Sequence, residues 1–273
     1  MPNISDLPLE ILDLIFSQVI GKRVRRGDEG GSQTAGLRLV CRAWADWLYE
    51  HHLYRLLTFA DASEPLAFIS LLGRRSKILP PAKCQHLEVH KIWTSEDPPP
   101  SDERNWINLK IVENLLDLFI NLITLELGFL DFFNLPSQLI KAIGRFKGLQ
   151  TLYLCYTYWR RCELDSTVAM DDPTWFNSLI MEVQTLKSLR LSLPLSLPCK
   201  PDPIKMAGTQ YPSITHLTVN IGHLSLEVLL ALCTAFKPTL KLLSIFDTAL
   251  ETDVQLLLPI YETLPKATDA CNK

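Results

Sequence analysis

The chain has 273 residues, 47% of them hydrophobic and 21% charged, so it carries a core large enough for one or two packed domains and is not a disordered polymer. Twenty-seven basic residues against 30 acidic ones leave a formal charge of -3, which excludes a surface built to coat nucleic acid or an anionic membrane. About fifty residues are leucine, a surplus that points to repeated use of one motif.

From the N-terminus, Met1 to Phe16 carries Asp6, Glu10 and Asp13 but no Lys or Arg, unlike a signal peptide. No stretch offers the eighteen or so uninterrupted apolar residues of a bilayer span. Seven scattered cysteines without a Cys-x-x-Cys pair read as reduced, mostly buried thiols, so an intracellular protein is expected, cytoplasmic, nuclear or both. On that expectation the sequon Asn3-Ile4-Ser5 is a chance match.

Residues 5–59 predict a small three-helix module. Pro8 suits a first helical turn, with Asp6 and Glu10 near the positive end of the helix. Ile11, Leu12, Ile15, Phe16 and Val19 form one apolar stripe, and Leu37, Val40, Cys41, Trp44 and Leu48 a second. Leu53, Tyr54, Leu56 and Leu57 form a shorter third. Between the first two, Gly21 to Gly36 holds five glycines and charges of both signs, as a solvated flexible loop does. Its Lys22-Arg23-Val24-Arg25-Arg26 run suits nuclear import or anion binding, or simply an exposed loop.

From residue 84 onward a triplet of the form Leu-x-x-Leu-x-Leu, with Val, Ile or Cys allowed, recurs six times. The hits are Cys84/Leu87/Val89, Leu122/Leu125/Leu127, Leu149/Leu152/Leu154, Leu186/Leu189/Leu191, Ile214/Leu217/Val219 and Leu240/Leu243/Ile245. The central leucines are 38, 27, 37, 28 and 26 residues apart. The last two positions of each triplet alternate as on a short strand, and stacked strands share a core that one alone cannot make. Segments of helical period lie between them: Ile111/Leu115/Leu118/Phe119, Leu139/Ile143/Phe146, Phe176/Leu179/Ile180/Val183 and Leu226/Leu229/Leu230/Cys233. Pro136 and Pro173 stand at helix starts, and Asp171-Asp172 caps the helix after Pro173. The expected fold is an α/β repeat: a helical module over residues 1–60, then an irregular leucine-rich-repeat solenoid over 61–273. That solenoid has about six parallel strands and convex-face helices. The asparagine that usually closes the repeat consensus is missing.

Leu7-Pro8-Leu9-Glu10-Ile11-Leu12, followed by Val40-Cys41-Arg42-Ala43-Trp44, resembles the F-box family in both halves and in their order. The long loop between them departs from the family's short linker. Leucine-rich repeats commonly follow an F-box. The resemblance implies a substrate-recognition subunit of a cullin-RING (SCF-type) E3 ubiquitin ligase. Such a chain is not itself an enzyme; it holds a Skp-type adaptor, and through it a cullin, and presents a protein substrate on its repeats. The matching positions nominate Leu7, Pro8, Ile11, Leu12, Ile15, Val40, Cys41 and Trp44 for the adaptor, some of them serving also as packing within the module. The alternative is a non-catalytic repeat scaffold that assembles a complex without ubiquitin transfer.

Residues flanking the buried strand positions face the concave side of such a sheet. Among these, Glu88, Glu126, Tyr153, Arg190, His216 and Phe246 are the candidate substrate contacts, with Tyr153 and Arg190 foremost because Tyr and Arg dominate interface hot spots. The stretches Lys91–Asn108, Tyr156–Trp175 and Ser192–Pro212 are long linkers able to carry recognition. The sequence holds no Gly-rich phosphate loop, His-Glu-x-x-His, Gly-x-Ser-x-Gly or paired Cys/His spacing, so no catalysis, cofactor or metal is expected.

Overall fold

Alternating apolar and polar residues leave each triplet one face to bury, and all six triplets end in a strand. The computed structural model describes residues 54–74, 83–94, 105–130, 135–156, 175–193, 212–220 and 226–246, with Leu7, Pro8, Glu10, Ile11, Leu14, Ile15, Gln18, Ala45 and Leu48 before them. In chain order the elements are β1 (Leu56–Phe59), α1 (Ser63–Arg74), β2 (His86–Trp93), β3 (Ile107–Asn108), α2 (Leu109–Leu118), β4 (Thr124–Phe129) and α3 (Ser137–Gly144). Then come β5 (Thr151–Tyr156), α4 (Trp175–Glu182), β6 (Ser188–Ser192), β7 (His216–Asn220), α5 (Leu226–Phe236) and β8 (Leu242–Phe246). Two compact units are present, Met1–Leu56 with Arg75–Lys83, and Leu57–Arg74 with Cys84–Lys273.

The described strands form one mostly parallel eight-stranded sheet in the order β1-β2-β4-β5-β6-β7-β8, with β3 on β2. Register follows the triplets: Leu87, Leu125, Leu152, Leu189, Leu217 and Leu243 pair in one row across the sheet. The first five of these leucines are fully buried. Below each of β2, β4, β5, β6 and β7 one carbonyl accepts two backbone N–H groups from the next repeat. The acceptors are Gln85, Ile123, Gln150, Lys187 and Thr215, and the donors are the pairs 123/124, 150/151, 187/188, 215/216 and 241/242. Both carbonyl lone pairs are used, so the turn is tied without the missing consensus asparagine.

Helices α1 to α4 pack in succession against one another, and the leucine face is closed while the opposite face stays partly open, so the helices cover the leucine face. Helix α1 opens with a capping box: Asp61 accepts from the Ser63 N–H at 2.9 Å, and Glu64 reaches back to the Asp61 N–H at 3.2 Å. The Ser63 hydrogen bonds also hold the Asp61 carboxyl below its ordinary value. Asn108 caps α2 by accepting from the Ile111 N–H at 2.9 Å.

Several expectations need correction. The third stripe does not continue as helix: Leu56–Phe59 is strand β1, because the outer edge of β2 offers backbone groups that a strand satisfies and a helix cannot. The presumed linker Lys91–Asn108 has strand at both ends, with Ile92 and Trp93 opposite Ile107 and Asn108. The buried stripes also shift, Val112 and Leu116 replacing Leu118 in α2, and Val228 and Leu232 replacing Leu226 and Leu230 in α5. Pro136 does stand at a helix start, as the cap residue of α3. The loop 21–36, Pro173 with Asp171-Asp172, and most of the other two linkers lie outside the described residues. No described helix is long and apolar enough to cross a membrane.

Candidate functional site on the polar face of the sheet

Parallel strands stand about 4.8 Å apart, so equivalent positions of successive repeats make a row of side chains at that spacing. The row one residue beyond the central leucines runs Glu88, Glu126, Tyr153, Arg190, Thr218 and Ser244. Four of the six residues nominated from sequence are thus consecutive neighbours. Glu88, Glu126 and Tyr153 are half-buried and Arg190 is exposed. His216 stands elsewhere, in the lower row of His86, Thr124, Thr151, Ser188 and Leu242. There its Nδ1 lies 2.8 Å from the Thr215 hydroxyl. Phe246 lies one row higher, opposite Asn220, yet joins the cluster through its ring.

The cluster has a cationic and an acidic half. The Arg190 guanidinium carbon sits 4.6 Å from the Tyr153 ring centre and 5.7 Å from that of Phe246, so two aromatic faces hold the cation above β6. Burial pushes the Tyr153 phenol up to about 12, with Cys155 and Glu126 acting the same way and Arg190 opposing. It therefore stays a neutral donor at neutral pH. On the acidic side, His90 Nε2 lies 3.8 Å from Glu88 Oε2 and 3.9 Å from Glu126 Oε1. The Thr58 hydroxyl of β1 donates to the same Glu88 oxygen at 3.1 Å.

His90 reaches this place through a local irregularity. The β2–β4 register shifts between Val89 and Ile92, and Lys91 takes a left-handed conformation with φ 56°. Such a bulge keeps His90 and Lys91 off the core while Ile92 turns back into it. Across from the bulge is Gly128, whose other neighbour in the row is Cys155. With no side chain on Gly128, the His90 ring and the Cys155 thiol meet over it beside Glu126, their ligand atoms all within 4.8 Å of one another. Sequence spacing alone hides this group, since its members come from three repeats. Superposing the triplets exposes it: His90 and Cys155 each follow their central leucine by three residues, and Glu126 follows its own by one.

At the N-terminus, Leu7, Pro8 and Ile11 are exposed and Ile15 is half-buried, with Pro8 C=O accepting from the Ile11 N–H at 3.0 Å. Helical backbone is found at Glu10, Ile11, Leu14, Ile15 and Gln18, and again at Ala45 and Leu48. The other nominated positions, Leu12, Val40, Cys41 and Trp44, lie outside the described residues. No protein-family model matches this chain, and no curated protein matches it.

Proposed function

We propose that the chain is an F-box protein with irregular leucine-rich repeats, the substrate-recognition subunit of an SCF-type ubiquitin ligase. The N-terminal module docks a Skp-type adaptor, the polar face of the sheet holds a protein substrate, and catalysis belongs to other subunits. The observation that carries the proposal is apolar exposure in one segment. Leu7, Ile11 and Leu14 are 39%, 43% and 58% exposed, while Leu87, Leu125, Leu152, Leu189 and Leu217 are at 0%. A chain that buries five of its six central repeat leucines completely and leaves a Leu-Pro-x-Glu-Ile segment in water keeps that segment for a partner. Six parallel strands in chain order, with helices between most of them, agree with the repeat half of the proposal.

The test is a pull-down with a Skp-type adaptor and its cullin, using the full chain and the double variant Pro8→Ala/Ile11→Ala. Adaptor capture that the double variant loses, with circular dichroism unchanged, supports the F-box assignment. Capture that survives both substitutions refutes it. Recovery of the adaptor without any cullin favours the scaffold alternative.

A further inference from the structure

We infer that His90, Glu126 and Cys155 form a binding site for a thiophilic divalent cation, Zn2+ in the first instance, on the polar face of the sheet. This inference is independent of the adaptor proposal. The three ligand atoms come from β2, β4 and β5 and already lie within 4.8 Å of one another. Zinc bonds of 2.0–2.3 Å in a tetrahedron require ligand atoms about 3.3–3.8 Å apart. The 3.9 Å between His90 Nε2 and Glu126 Oε1 is nearly that separation.

Three features make the group more than a coincidence of polar residues. Gly128, the register neighbour of Cys155 opposite the bulge, puts no side chain between His90 and the thiol, and the bulge at Lys91 keeps His90 off the core. The donor set is one imidazole, one carboxylate and one thiol, a mixture suited to zinc and ill suited to magnesium or calcium, which take oxygen. Its charge also fits, because a carboxylate and a thiolate together neutralise a dication. Coordination replaces the thiol proton, which leaves to solvent.

The surroundings supply outer contacts. Tyr153 hydrogen-bonds the Cys155 side chain, and Thr58 orients Glu88, whose Oε2 stands 3.8 Å from His90 Nε2. Glu88 or a water molecule then takes the fourth position. Side-chain exposures of 19% for His90 and 12% for Glu126, with Cys155 buried, leave access from the open face alone.

The experiment titrates the reduced, metal-free full-length chain with Zn2+ against a chromophoric chelator, and with Co2+ as a spectroscopic probe. One Zn2+ per chain is expected, with a thiolate-to-cobalt charge-transfer band that Cys155→Ser abolishes. His90→Gln and Glu126→Gln each remove a ligand and should weaken binding by at least the roughly 10–100-fold that loss of an outer-shell contact costs. These two half-buried positions carry the test if Cys155→Ser does not fold, circular dichroism being the control. Absence of stoichiometric binding, or affinity that His90→Gln and Glu126→Gln leave unchanged, overturns the inference. So does a charge-transfer band that persists in a folded Cys155→Ser variant.

Discussion

Cys84 takes the position that leucine holds in the next three repeats, and burial raises its thiol to about 12 and that of Cys233 to about 11, against an ordinary value of 9.0. A thiol whose folded pKa lies above its unfolded one loses protons first in the unfolded chain. Stability from these groups is therefore intact below pH 9 and falls as pH climbs towards 11 to 12. Thermal melts from pH 8 to 11 should show that fall, and Cys84→Val should make it shallower; parallel curves for the two proteins would exclude the linkage. On the polar face, the Arg190 stack predicts a coupling of about 0.5–1 kcal/mol between Tyr153→Leu and Arg190→Gln in a double-mutant cycle by urea denaturation. Strict additivity would mean that the ring and the cation merely lie near each other.

Between repeats, threonine hydroxyls add to the backbone ladder. Thr185 donates to the Leu149 carbonyl at 2.7 Å and Thr239 to the Ile214 carbonyl at 2.9 Å. Each threonine immediately precedes the first apolar residue of its triplet, and each acceptor is that first residue one repeat earlier. Gly148 holds the same place before Leu149, and a Cβ there would lie 3.6 Å from the Leu122 carbonyl, at ordinary contact distance. Gly148→Thr should therefore supply the missing hydroxyl and stabilise the chain by about 1 kcal/mol, through that hydrogen bond and reduced unfolded-state freedom. Gly144 is the opposite case. A Cβ there would stand 3.0 Å from the Glu182 Cβ, so Gly144→Val should push α3 from α4 and cost about 1–3 kcal/mol in the same denaturation assay.

Across the whole sheet, the burial of each strand leucine gives a graded expectation, from the central row to the lower row of β8. Leu152→Ala, in the middle, should cost about 2–5 kcal/mol, whereas Leu242→Ala, 51% exposed on β8, should stay within about 0.5 kcal/mol. The six strands and their register were legible in the sequence because repetition copies one hydrophobic pattern, and six copies outweigh any single ambiguous segment. Strands β1 and β3 were not, since each borrows its conformation from the edge of β2 and carries no triplet of its own. The row Glu88, Glu126, Tyr153 and Arg190 followed directly from alternation. The meeting of His90 with Cys155 did not, because it depends on a bulge and on a glycine whose meaning appears only when two neighbouring strands are laid side by side.

Strand order that equals chain order also bears on how the protein is made. From β4 to β8 each strand pairs on one side with the strand before it, so that half of a repeat's contacts can form as soon as the repeat leaves the ribosome. Assembly can then proceed from the N-terminal side during synthesis, each finished edge serving as the template for the next strand. A stalled chain would present a native-like edge rather than a collapsed, unpaired core.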